Sequence, residues 1–398
     1  MKTAVTTAKK HYPALAAGLA LTVAGAAAWA FQIINGLAVT DLNNLFSWGL
    51  YMAGFEFFIG LSSGGMLVFA VYHIWNVKAL EPFVKPGVIS SLAAVVAAGI
   101  AILTDLGRPF SVVQMILSPN VSSPLFWDLV VLAVYAVLCV LAAAAVYSGK
   151  GTAEQQKGLA YITLPYIAVL NGVTTLLFAV QNSRLWWHSA LLPVDSIAVG
   201  TAAGLSFVML YTQLVNGVKD ADAGQNGYRL LSRIAGVSLI AHVVFTLMEL
   251  ATLWWSGSAE SQELLHLLFN EYGILYFAEQ LLFVTAMAGY LAVRGRIAAV
   301  FPAAAMAALL LHRVMMTLPT FNMVPLTVSV GAVKPVQWAY PVASGIYAPG
   351  QDIFITSWQY TPALLEWAVA LLPAGVLLFI CTAAVTHTNC PKPDIQAE

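Results

Sequence analysis

Apolar residues fill most of this chain in runs long enough to cross a bilayer, which takes about 20 helical residues. Ten runs stand out, roughly 13–35, 48–77, 87–105, 124–147, 158–181, 194–216, 230–255, 273–293, 297–318 and 361–385. The first follows Lys9 and Lys10 and has an Ala-rich core, so it also fits a secretory signal; it is counted as a retained span. Polar breaks separate the runs. The most pronounced is Asp105-Leu106-Gly107-Arg108-Pro109. Gly107 permits backbone angles a helix forbids, and Pro109 cannot continue one. Ser123-Pro124 then opens the next run, proline being tolerated in a first helical turn. The connection 319–360 is far longer than most and is rich in Pro, Gly and Trp. The pattern predicts an all-α integral membrane protein of about ten transmembrane helices, a single polytopic domain over 1–398.

Composition agrees with the pattern. Of 398 residues, 60% are hydrophobic and 9% charged, against roughly 25% charged in soluble domains. The net charge of −1 offers no basic surface for nucleic acid. Three cysteines, Cys139, Cys381 and Cys390, form no CxxC, whereas an iron–sulfur cluster needs about four thiolates. Any cluster must therefore sit on a partner. No metal site in this chain is predicted. Lys and Arg gather in alternate connections, all but Arg108, Arg184, Arg313 and Lys334 falling on one side. The positive-inside rule then puts both termini in the cytoplasm and the Asp105–Pro109 stretch outside. Tryptophan is biased to the outer side, with Trp75 alone near the inner face and Trp29 leaning outward. That asymmetry, set against a two-sided aromatic belt, suggests a docked protein. The Gly60-xxx-Gly64 spacing allows close helix contact, a packing signal.

Ionisable residues inside the spans carry the chemistry. A charge at mid-bilayer costs at least about 3 kcal/mol on insertion scales, so each must face another, water or a ligand. Span direction places Glu56, Asp105, Asp128, Glu249, Glu279, His312, Arg313 and Glu366 in the outer part, His242 centrally and His73 near the inner end. One by one they read as interhelical hydrogen bonds; clustered at one depth they point to a shared polar cavity. Tyr51, Glu56, Asp105, Arg108 and Asp128 are the candidate pocket for a quinone. Its head needs hydrogen-bond partners for two carbonyls and groups that exchange protons. Arg108 is expected to orient or pair with Asp105, and Glu56 to accept a proton. His73, His242, Glu249 and Glu279 are the candidates for proton transfer. The alternative is a membrane transporter or a proton- or ion-translocating subunit, although transporters place such groups near the midplane on broken helices. Haem ranks low because His73, His242 and His312 fall at three different depths.

Asp105-Leu106-Gly107-Arg108-Pro109, with Ser123-Pro124 and Trp127 after it, resembles the signature of the NrfD/polysulfide-reductase membrane-subunit family. Trp48-Gly49 with Phe58, Gly60 and Gly64 is similar to that family's opening helix. Arg184-Leu185-Trp186 and Leu192-Pro193 resemble its outer segment. Tyr360-x-Pro362 with Glu366-Trp367 resembles the start of the last helix in longer, ten-span members, with Ala363 replacing the usual Ser. Span five has Asn171-Gly172 where many members have a tyrosine two before the glycine. The resemblance implies two four-helix bundles plus flanking helices: 47–182 the first, with a quinone site near the Asp105–Pro109 region, 193–318 the second, a periplasmic loop over 319–360 and a last helix over 361–385. It further implies a haem-free subunit of a respiratory oxidoreductase in the cytoplasmic (inner) membrane of a bacterium or archaeon. Electrons would pass between menaquinone or ubiquinone and a ferredoxin-like iron–sulfur subunit on the outer side. A molybdopterin catalytic subunit or a multihaem cytochrome would complete the complex. The expected docking face is 106–124, 182–193 and 319–360.

Overall fold

The computed structural model describes every residue except 1, 45, 149–150, 183, 217–220, 293–296, 323–326, 329–335, 338–339, 342–353, 356–359 and 389–398. Ten helices are long and apolar enough to span a membrane. In chain order the helices are α1 (Lys2–Asn35), α2 (Leu50–Trp75), α3 (Glu81–Asp105), the short α4 (Val112–Leu117), α5 (Pro124–Tyr147), α6 (Ala153–Ala179), α7 (Leu192–Asn216), α8 (Ala221–Ser256), the short α9 (Ala259–His266), α10 (Gly273–Ala292), α11 (Val300–Asn322) and α12 (Leu364–Thr388). Two antiparallel pairs of two residues each lie in the α11–α12 connection, Thr327 opposite Gln337 and Tyr340 opposite Ile355.

Several helices begin before their apolar runs do. α6 starts at Ala153 rather than near 158 because Thr152 and Gln155 form a reciprocal capping box, with bonds of 3.2 and 3.0 Å. α11 runs on to Asn322 because Pro319 lies inside the helix instead of ending it near 318. An apolar-run reading misses such polar turns.

α2, α3, α5 and α6 pack as one four-helix set, and α7, α8, α10 and α11 as a second; α1 and α12 pair with each other and lean on α3. The sets meet where α2 crosses α7. There Gly60 and Gly64 face Gly200 and Gly204, and a Cβ on Gly64 would overlap the Gly204 backbone. Lipid tails are as apolar as leucine, so helices gain little by hiding from them. Close backbone contact through small residues supplies the attraction.

The α1–α2, α3–α5, α6–α7, α8–α10 and α11–α12 connections share one end, the loop-rich end. The Leu50 N–H donates to Tyr360 Oη at 2.9 Å, the Arg184 guanidinium to the Thr320 carbonyl at 3.0 Å, and Trp187 Nε1 to the Met316 carbonyl at 2.6 Å. Trp48, Phe178, Trp187 and Phe321 stack into an aromatic plug at that end, with centroids 5.0–5.5 Å apart. Two of the biased tryptophans thus serve packing. Trp127, Trp254, Trp255 and Trp367 are exposed. The expected docking loop falls largely outside the described residues, as do the side chains of Trp338 and Trp358.

Candidate functional site

Five residues along α2, from Tyr51 to Glu56, the helix has turned by about 500°, leaving the two side chains about 140° apart around its axis. They accordingly belong to different polar groups. Tyr51, buried, donates its hydroxyl to Gln32 Oε1 at 2.6 Å, and Gln32 Nε2 donates to the Thr104 carbonyl at 2.8 Å. This joins α1, α2 and α3 beside Asp105, the last residue of α3, whose buried Oδ1 has no partner among the described residues. Glu366 on α12 is close enough for its charge to act on both Tyr51 and Asp105. Glu366 accepts from the Asp41 N–H at 2.8 Å, the Ala363 N–H at 3.1 Å and the Tyr360 hydroxyl. Burial and the neighbouring carboxylate hold that hydroxyl protonated far above its usual range. The Tyr360…Glu366 motif therefore caps α12 and ties it to the start of α2.

Arg108 corrects one expectation. Its side chain is exposed, in the turn leading to Pro109–Ser111, and among the described residues it makes no ion pair with Asp105. The Leu106-Gly107 step out of α3 carries it away from the buried carboxylate.

Glu56 and Asp128 form the second group. Glu56 is 2% exposed, about 9 Å down α2 from Leu50 by helical rise. Its Oε2 lies 3.5 Å from the Arg313 guanidinium, and its buried Oε1 has no partner among the described residues. Asp128, on the second turn of α5, accepts a 2.6 Å hydrogen bond from Thr174 of α6, and its charge reaches Glu56. Arg313 belongs to α11 in the other four-helix set and also donates to Ser196 Oγ at 2.7 Å. It is the one cation buried with these carboxylates among the described residues. Guanidinium, two carboxylates and one open carboxylate oxygen within a helical turn or two of the loop-rich end make a site that can bind a polar carbonyl head and take up a proton.

The proton-transfer candidates do not stay together. His73 is at the opposite end, its Nδ1 2.8 Å from the Phe69 carbonyl of its own helix and its Nε2 3.0 Å from Gln156 Oε1 of α6. His242 and Glu279 meet in the second set, together with two residues outside the candidate group, Asp195 and His312. His242 Nδ1 is 2.8 Å from Asp195 Oδ1; His312 Nδ1 is 2.9 Å from Glu279 Oε1, and its Nε2 is 3.8 Å from Asp195 Oδ2. The imidazole centroids are 5.1 Å apart, edge to face. The expected difference in depth between His242 and His312 is thus overturned, because the four extra residues of α11 lower His312 from the loop-rich end. Glu249 lines the same pocket as Asp195, Glu279 and His312. Asp195 and Arg313 carried a signal in sequence, since each is an ionisable residue within an apolar run.

Residues 38–325 match the family described as polysulphide reductase, NrfD. The chain belongs to the NrfD family. Among curated relatives of this NrfD-family chain, a Halobacterium salinarum protein assigned as the membrane component of a dimethyl sulfoxide reductase is 32% identical over 57% of each chain. The Hdr-like menaquinol oxidoreductase integral membrane subunit of Archaeoglobus fulgidus is 25% identical over 46% of this chain and 45% of its own. A component of the selenate reductase of Mesobacillus selenatarsenatis is 23% identical over 91% of each. The NrfD-family chain thus aligns with about half the length of the first two relatives. It is a multi-pass integral membrane protein of a family that includes membrane subunits of oxidoreductases.

Proposed function

We propose that this subunit exchanges electrons between the membrane quinone pool, menaquinone or ubiquinone, and an iron–sulfur subunit docked on its loop-rich end. The carrying observation is the Glu56 carboxylate, buried, held on one oxygen by Arg313 and open on the other, with Asp128 beside it. A bound quinone would supply the two-electron, two-proton chemistry. Glu56 Oε1 would take or return a proton at the head group, Arg313 would fix the carboxylate, and Asp128, held by Thr174, would bias the charge. Tyr51 and Asp105 form a second polar group at the same end, on another face of α2. The menaquinol named for the Archaeoglobus relative supports the quinone reading.

The proposed partner is ferredoxin-like, with a molybdopterin subunit or multihaem cytochrome beyond it, because no thiolate set in this chain fits a cluster. Its docking surface would centre on 106–124, where Phe110 is 80%, Ile116 63% and Leu117 75% exposed. The Lys and Arg distribution supports an orientation with that end outside the cytoplasm. Purification of the intact complex through a tag on this chain tests the reading. Co-purifying iron–sulfur protein and quinol-dependent reduction or oxidation of the terminal substrate are expected. Solute flux by the isolated subunit in liposomes, with no redox partner and no quinone activity, would instead establish a transporter.

A further inference from the structure

The second four-helix set buries more carboxylates than its one buried guanidinium, Arg313, can match among the described residues. Asp195 and Glu279 are both buried, and Arg313 is turned toward Glu56 and Ser196. Two imidazoles lie between these carboxylates. Buried carboxylates without compensation are costly unless they are paired or coordinate a metal.

The way the four groups face one another narrows the choice. Asp195 stands behind the His242 ring, Oδ1 hydrogen-bonded to His242 Nδ1 at 2.8 Å, while its Oδ2 is 3.8 Å from His312 Nε2, beyond hydrogen-bond reach. Metal-binding histidines are commonly oriented in this manner, the far ring nitrogen donating to a carboxylate while the near one stays free. His242 Nε2 and His312 Nε2 are both buried without a hydrogen-bond partner among the described residues, and His312 Nδ1 faces Glu279 Oε1 at 2.9 Å. Glu279 Oε2 is also buried without a partner. One ligand atom from each of His242, Glu279 and His312 lies within 4.8 Å of the others. Two ligands about 2.1 Å from one zinc ion would be about 3.0–3.4 Å apart, so side-chain shifts of about an ångström close the trio. A small pocket lined by Trp186, Glu249 and Tyr276 as well as Asp195, Glu279 and His312 adjoins the trio, with room for a water ligand. Edge-to-face rings at 5.1 Å leave no slot for a planar macrocycle between them.

We propose that His242, His312 and Glu279 bind one divalent first-row metal ion, zinc by preference, with Asp195 as the carboxylate that orients His242. Two imidazoles and a carboxylate suit zinc's borderline softness, and an open fourth position is compatible with water. A dication would neutralise Asp195 and Glu279 together. The proposal stands whether or not the first set binds quinone, and it replaces the sequence reading of His242 and Glu279 as proton carriers.

Metal analysis of the intact complex tests it, comparing wild type with His242→Gln, Glu279→Gln and Asp195→Asn after equilibration with Zn²⁺. Wild type is expected to hold one more metal ion per chain than the His242→Gln and Glu279→Gln complexes. Asp195→Asn should weaken Zn²⁺ binding about 10–100-fold, as loss of an orienting carboxylate does. Should a variant fail to assemble, zinc-edge X-ray absorption of the wild-type complex decides, with nitrogen and oxygen ligands at about 2.0–2.1 Å expected. A wild-type complex that takes up no more metal than His242→Gln, or one whose zinc is bound by sulfur alone, overturns the proposal and leaves a metal-free hydrogen-bonded cluster.

Discussion

The two four-helix sets bury carboxylates in opposite ways. In the first, Glu56 and Asp128 are each held on one oxygen, and the guanidinium that serves them is contributed by α11 of the second set. In the second, Asp195, His242, His312 and Glu279 close on one another, all four drawn from its own helices. An open carboxylate oxygen beside a fixed cation suits a neutral carbonyl ligand that exchanges protons. A ring of carboxylates and imidazoles suits a cation. Two sets of similar architecture thus present different chemistry, because Arg313 turns one way and the adjacent His312 the other.

The largest expected effect falls on the seam that makes this sharing possible. Gly204→Leu would drive a side chain into the Gly64 backbone. The crossing has no slack, so we expect no assembled subunit in the membrane, read as loss of the folded species on size exclusion in detergent. Normal assembly would show that α2 and α7 can separate and that the sets are not locked together.

Next in size is Arg313→Met. Removing one partner of a buried ion pair costs about 3–5 kcal/mol, so thermal unfolding of the detergent-solubilised subunit should shift down clearly. Adding Glu56→Leu should restore most of that loss, because the cost comes from the carboxylate left alone. If the double variant is no more stable than Arg313→Met, the Glu56–Arg313 contact is not what joins the two sets energetically.

The smallest stability effect belongs to Arg108→Ala. An exposed side chain without an ion pair should change stability by no more than about 0.5 kcal/mol. If it sits at the rim of a docked partner, the variant complex should dissociate at lower salt than wild type. A large stability loss would mean that Arg108 pairs with Asp105 after all.

Much of the architecture was legible from the chain because bilayer thickness fixes span length and because alternating Lys and Arg fix connection parity. All ten spans follow from this. The Gly60-xxx-Gly64 spacing announced a close contact, although nothing local named Gly200 and Gly204 as the other half. The site was less legible. Depth along a span depends on where the helix ends, and α11 runs past the end of its apolar run, through Pro319 to Asn322. That misplaced His312 and hid its meeting with His242. Proximity in sequence also suggested that Asp105 and Arg108 would pair, whereas the turn at Gly107 separates them. Arg313 was seen as an ionisable residue within a span, but its partner on α2 is set by the crossing of two distant helices.

The most direct test of the central claim is Glu56→Gln in the intact complex, with quinone-linked turnover measured against dye-linked activity of the partner subunits. Gln keeps the shape but cannot take a proton, and loss of a general base typically lowers rate by about 10²–10⁴-fold. We therefore predict quinone-linked turnover reduced at least about 100-fold with dye-linked activity and assembly unchanged. Quinone-linked turnover equal to wild type would contradict the account and remove Glu56 from the quinone site.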